Sequence, residues 1–273
     1  MPSVGVQKFI VLSGARTGSN YLMTMLGAHQ SIRMYGELFN LDTLSKVNIN
    51  SVLTDPAAYL NAILLKESTK KVAGFKLFYD HFRREYFTKL VSKDDSCEEV
   101  KRRFDDLENY LTTHFDRSAI YTTFDKAWAE IQADQSFKII HLLRANKLLT
   151  FLSIKKAYLT NQWLSFKEVR DRSMRISLDY QECLAYFTRM EAYESGNRER
   201  FRSHDYMEVR YEDLESHKDR ELKRIFEFLG VDFREVRSKL KKQNTTSLAE
   251  SIMNYDALRK QFKSSPWEHF FEE

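Results

Sequence analysis

Proline occurs only three times and glycine eight times in these 273 residues, well below average usages of roughly 5% and 7%. That shortage excludes collagen-like and linker-rich chains and turn-dense all-β architectures, and it favours helices. Cysteine is as scarce. Cys97 and Cys183 stand far apart with no metal-type spacing, which excludes a zinc module and reads as two reduced thiols of a cytoplasmic chain. Long apolar runs are missing too. None approaches the ~18 residues of a membrane span, so no stable membrane insertion is expected. The stretch MPSVGVQKFIVLSG holds only a four-residue apolar run, residues 9–12, and no cleavage pattern of a signal peptide.

What is present describes a soluble globular chain. Hydrophobic residues make up 42%, charged residues 30%, and the net charge is +4. No repeat, low-complexity block or linker interrupts the sequence, so a single domain over residues 1–273 is expected. Four short runs read as strands: residues 9–12, VAGFKLF at 72–78, FKIIHLL at 137–143 and YMEVRY at 206–211. The third is almost continuously apolar or β-branched, as a strand covered on both faces must be. Between them the spacing is helical. Ile176, Tyr180, Leu184 and Phe187 form one apolar stripe; Leu222, Ile225, Phe226 and Leu229 form another, with Gly230 at its C-cap. The charged stretch KDDSCEEVKRRFDD at 93–106 reads as a solvated helix face. Strands alternating with helices predict a helix-rich α/β fold with a central parallel sheet and helices on both sides.

The chemistry begins after the first strand. FIVLSGARTGSNYLMTML reads strand, loop of small residues, then helix. Small residues let backbone N–H groups approach a ligand, the helix presents its positive end, and Arg16 adds a fork of donors suited to phosphate or sulfate. A Walker A loop is excluded. Gly14 and Gly18 are one residue too close, and no Lys-Ser/Thr pair follows. The usual Mg²⁺ ligand is therefore lacking, so the loop points to an anion held without an obligatory metal. A nucleotide-phosphate kinase remains the enzymatic alternative, and a non-catalytic nucleotide-binding module the other. A basic region at 234–263, with eight Lys/Arg against three acids, fits a small polyanion; no RNA-binding motif is readable, so no nucleic-acid partner is expected.

Arg16-Thr17-Gly18-Ser19-Asn20 resembles the 5′-phosphosulfate loop of sulfotransferases that use 3′-phosphoadenosine 5′-phosphosulfate (PAPS). The resemblance implies a P-loop-type three-layer α/β/α fold and extends to further segments. In LLRANKLLTFLSIKKA, Arg144 and Ser153 stand where the family holds the 3′-phosphate. Their spacing of nine, with Asn146 between, is similar to the bacterial carbohydrate branch, which includes nodulation-factor and trehalose sulfotransferases. In MYGELFN, just beyond the first helix, Glu37 resembles the family's general base; an alcohol needs one because it loses its proton as sulfur is attacked. In GFKLFYDHF, Lys76 resembles a lysine near the acceptor, and His81 competes with Glu37 as base. In VRYEDLESH, Arg210 and Glu212 are expected to be structural, and in KKQNTTSLAESIMNYDALRKQF, Lys242, Gln243 and Asn244 are candidates to close over the nucleotide.

The resemblance thus implies in-line transfer of a sulfuryl group from PAPS to an acceptor. Expected catalytic residues are Glu37, Arg16, Lys76 and His81; expected donor-binding residues are Arg16, Thr17, Gly18, Ser19, Asn20, Arg144, Ser153, Lys242 and Gln243. The acceptor expected from the branch is a carbohydrate or glycolipid hydroxyl. A small secondary metabolite, accepting through a hydroxyl or an amine nitrogen, is the alternative, since Glu37, Asp80, Tyr79 and Trp163 would suit a polar or cationic molecule. Oligomeric state is not legible in the sequence.

Overall fold

Apolar, β-branched sequence sets the middle of the molecule. The computed structural model describes residues 6–64, 70–81, 96–163, 174–238 and 246–272. The second and third expected strands form with the expected bounds, as β3 (Val72–Phe78) and β4 (Phe137–Leu143). Between them lies β1 (Gln7–Ser13), buried from Phe9 onward. With β2 (Ile32–Glu37) and β5 (Tyr206–Arg210) they make a five-stranded sheet of order β2-β3-β1-β4-β5, parallel at every pairing.

Parallel neighbours need crossovers, and helices supply them on both faces. Alternate side chains of β1 serve the two layers. Phe9 and Val11 pack with α1 (Ser19–Ala28), α8 (Tyr211–Ser216) and α9 (Lys218–Leu229), through residues such as Leu22, Leu214 and Phe226. Ile10 and Leu12 pack on the other side. There the layer holds α2 (Lys46–Thr54), α3 (Pro56–Leu64), α4 (Glu98–His114), α5 (Arg117–Ala133), α6 (Lys147–Thr160) and α7 (Tyr180–Arg200). The short α10 (Leu248–Ser251), α11 (Tyr255–Gln261) and a closing 3-10 turn, Glu268–Phe271, also lie on that side. The result is the three-layer α/β/α arrangement. No helix of the described residues is long and apolar enough to cross a membrane.

The topology singles out one place. β1 has β3 on one side and β4 on the other, so the chain departs from it in opposite directions. The crevice beyond the C-terminal ends of such strands is where ligands settle in open parallel sheets.

Three local expectations are corrected. β2 is a strand that sequence pattern did not single out, because IRMYGE carries Arg33 and Gly36 and sits half-exposed at the sheet edge. Glu37 therefore ends a strand. Ile176 lies outside α7, which starts only after Asp179 caps the Glu182 N–H; Ile176 instead makes an isolated bridge with Ile252. Tyr211 opens α8 and is not the end of β5. Gly230 does cap α9 in the left-handed region, at φ 73°.

Candidate active site

The loop between β1 and α1 is bent at two positions. Arg16 has φ 61° and Gly18 φ 88°. Glycine takes that conformation freely, and here a second constraint acts: a Cβ on Gly18 would sit 2.1 Å from the Tyr211 ring. For Arg16 the same region is strained, on the order of 1–3 kcal/mol, and persists only where surroundings enforce it. They do. Arg144 Nη1 donates to the Arg16 carbonyl at 3.0 Å, and Arg16 Nε donates to Ser153 Oγ at 2.9 Å. A further Arg16 bond reaches the carbonyl of Trp163. Thr17 closes the turn by donating its hydroxyl to the Gly14 carbonyl at 2.9 Å.

The structure therefore brings Arg16, Arg144 and Ser153 into one cluster, across 137 residues of chain between the first and last. Sequence order explains how. Arg144 follows β4, and Asn146 starts α6 by accepting the Leu149 N–H at 3.0 Å, which turns Ser153 back toward the loop. By contrast α1 begins at Gly18 with no side-chain cap and no acid in its first turn, so its leading N–H groups are left for another acceptor. Burial, then the nearby charge of Arg144, pushes the Arg16 guanidinium down to about 10. Arg144 lies 4.9 Å over the Tyr211 ring, and its Nε is buried without a hydrogen-bond partner.

A second cluster stands beside the first. Lys76 is almost wholly buried, at 1% exposure, and its ammonium bridges Asn20 Oδ1 at 2.6 Å and Glu37 Oε1 at 2.5 Å. A β-bulge makes the pairing. Met34 opposes Gly74, yet Glu37 opposes Lys76, so β2 uses three steps where β3 uses two. Regular register would have placed Gly36 opposite the lysine. Asn40 donates to the other Glu37 oxygen. Burial on its own would raise the Glu37 carboxyl; the Lys76 charge and the hydrogen bonds from Lys76 and Asn40 outweigh it and hold the group below its ordinary value. Burial lowers the Lys76 ammonium, with Glu37 opposing.

The remaining expected residues fall as follows. Thr17, Gly18, Ser19 and Asn20 lie in the loop and the first turn of α1. His81 is 2% exposed; its Nδ1 accepts the Phe78 N–H at 3.3 Å, its carbonyl accepts Trp128 Nε1–H at 2.7 Å, and burial lowers its imidazole. Glu212 accepts the Ala145 N–H at 3.1 Å, tying α8 to the segment that carries Arg144. Tyr79, expected near the acceptor, is instead buried below the loop. Lys242, Gln243 and Asn244 lie outside the described residues.

Two contributors were not foreseen: Tyr211, which seats Gly18 and Arg144, and Asn40, which orients Glu37. Tyr211 stands inside the VRYEDLESH segment, and Asn40 follows Glu37 by three residues, a spacing at which a tight turn brings an amide back onto a carboxylate.

Comparison with known proteins supplies the wider setting. The sequence matches the model of the Sulfotransferase family over residues 8–235. Nodulation protein H of Rhizobium tropici is 26% identical over 268 residues, covering 97% of this chain and 93% of that protein. Nodulation protein H of Rhizobium meliloti (strain 1021) is 24% identical over 274 residues, covering 97% and 95%. Among solved structures, a sulfotransferase from Alicyclobacillus acidocaldarius superposes with a TM-score of 0.46 at 14% identity, covering 94% of this chain and 89% of that one.

Proposed function

The chain belongs to the sulfotransferase family, and on that premise we propose that it moves the sulfuryl group of PAPS to a hydroxyl of a carbohydrate or glycolipid acceptor. The observation that carries this reading is the contact of Arg16 with Ser153, with Arg144 on the Arg16 carbonyl. A loop suited to the 5′-phosphosulfate and a guanidinium–hydroxyl pair suited to the 3′-phosphate form one continuous site. The buried, unpartnered Nε of Arg144 and the uncapped start of α1 fit a ligand that is anionic at two points. The acceptor class rests on the spacing between Arg144 and Ser153 and on the bacterial branch it resembles.

In this reading Glu37 takes the proton from the acceptor hydroxyl as the new O–S bond forms. The S–O bond to the 5′-phosphate breaks, and its electron pair stays on that phosphate in adenosine 3′,5′-bisphosphate (PAP). Lys76, within reach of both Glu37 and the first turn of α1, serves two ends. It keeps the carboxyl ionised, ready to accept a proton, and it offers positive charge beside the loop where negative charge grows. Arg16, Thr17, Gly18, Ser19 and Asn20 hold the donor in line; Arg144 and Ser153 hold its far phosphate.

Calorimetry with PAP and transfer of label from PAPS to a panel of oligosaccharides test the proposal. Tight PAP binding with label on a sugar hydroxyl is the expected result. Absence of PAP binding would overturn the donor assignment. Binding accompanied by label on only small hydroxyl or amine compounds would overturn the acceptor class.

A further inference from the structure

Below the loop runs a line of polar groups that the transfer chemistry does not use, buried at Tyr79 and His141 and reaching the surface at Glu208 and Arg198. Tyr79, directly after β3, donates its N–H to the Ser13 carbonyl at 3.1 Å. Its ring lies 3.4 Å from where a Cβ on Gly14 would stand, and Met190 Sδ lies 3.3 Å from the same point. The first turn of the loop thus rests on this ring. The Tyr79 hydroxyl meets His141 Nε2 at 2.6 Å. His141, fully buried within β4, meets the Tyr206 hydroxyl through Nδ1. Tyr206 donates to Glu208 Oε1 at 3.4 Å, and that same oxygen accepts from Arg198.

Hydrogen-bond chemistry orders this line. The Glu208 carboxylate can only accept, so the Tyr206 O–H points at it and the Tyr206 oxygen is left to accept from Nδ1–H. A neutral imidazole has one N–H, so Nε2 is the acceptor and the Tyr79 O–H donates into it. The charged groups facing the ring are Glu208, 4.0 Å from Nδ1, with Arg198 and Lys147. Burial, reinforced by the two cations, pulls the imidazole down to about 3, so it stays neutral across ordinary pH.

We propose that His141, fixed in its Nδ1–H tautomer by Tyr206 and Glu208, is a positioning residue that pins the Tyr79 hydroxyl and thereby holds the Ser13–Gly14 turn of the loop in its binding shape. The importance of that turn rests on the donor reading above. The pin is polar. Tyr79→Phe keeps the ring and releases it to shift, so the loop N–H groups lose preorganisation. The loss falls on donor affinity and not on the chemical step, because neither Glu37 nor Lys76 belongs to the line.

Nitrogen NMR on protein carrying ¹⁵N-labelled histidine, with His141→Asn to assign the signal, reads the tautomer directly. The wild type is expected to show His141 as Nδ1–H, unchanged between roughly pH 5.5 and 8. Glu208→Gln should give a mixture of tautomers, since an amide can also donate. Tyr79→Phe should speed amide hydrogen exchange at residues 14–19, weaken PAP about tenfold, and change kcat at saturating donor by less than about twofold. An Nε2–H or charged His141 in the wild type, or loop exchange unaltered in Tyr79→Phe, would overturn the inference. Failure of the wild type to bind PAP would sink the donor reading alone, since the tautomer and exchange measurements need no ligand.

Discussion

The two halves of the candidate site are built on opposite electrostatic plans. Around the loop, two guanidinium groups approach each other. Arg16 is acidified by burial and by Arg144, and Arg144 keeps a buried Nε without a hydrogen-bond partner. Next to it, Lys76 is matched by Glu37, and Asn40 supports the same carboxylate. The first half carries crowded positive charge that an arriving anion would relieve. The second is balanced before any ligand arrives and therefore holds its carboxylate ready. In the proposed reaction this is a division of labour: binding energy comes from the unbalanced half, proton transfer from the balanced one.

Substitutions can break that division. The largest effect is expected from Glu37→Gln, which should cut turnover by about 10²–10⁴ while PAP affinity, measured by calorimetry, stays close to that of the wild type. Lost affinity of similar size would mean the halves are not separate. The acid limb of the wild-type rate profile should lie below the ordinary glutamate range, because Lys76 holds the Glu37 carboxyl down. A limb at or above the ordinary glutamate range would contradict this control of the Glu37 carboxyl by Lys76.

Next in size, Arg144→Ala should weaken PAP by roughly 10²-fold, in line with loss of a charge-assisted contact. Adenosine 5′-phosphosulfate, which has no 3′-phosphate, should be weakened far less in paired titrations. Equal weakening would remove the assigned role. The ligand-free melting temperature should not fall much, because the substitution also removes repulsion.

The smallest effect is one of stability and comes from the buried histidine beneath the loop half. The folded state keeps His141 neutral down to about pH 3, whereas an unfolded histidine takes up its proton near pH 6.5. The unfolded state thus binds more protons as pH falls through this window. This histidine's contribution is full above about pH 6.5 and declines by roughly 1.4 kcal/mol per pH unit below it. His141→Gln should flatten the fall in melting temperature between neutral pH and about pH 5. An unchanged slope would assign the acid sensitivity to other groups.

How much of this was legible in the sequence follows from the same contrast. β3 and β4 were readable to the residue because strands covered on both faces must be apolar almost throughout. β2 was not, being a half-exposed edge strand with a bulge, and so Glu37 was expected in a segment beyond the first helix with no partner foreseen. The loop could be read from its small residues because backbone approach constrains composition. The contact of Arg16 with Ser153, by contrast, joins segments far apart in the chain, and no local pattern encodes it. Tyr211 was hidden for a third reason: its aromatic ring looked like strand content, and only the left-handed turn at Gly18 explains why a flat side chain stands there.

The contacts that shape the loop also bear on the order in which the protein assembles. Arg16 is held by groups 128 to 147 residues away, and parallel strands pair only after long crossovers have closed, which is slow. The loop therefore acquires its shape late, after β4 and α6 have docked on β1. Until then the proposed nucleotide site is incomplete. A bound anion should accordingly lengthen the lifetime of the finished protein while leaving its rate of refolding almost untouched.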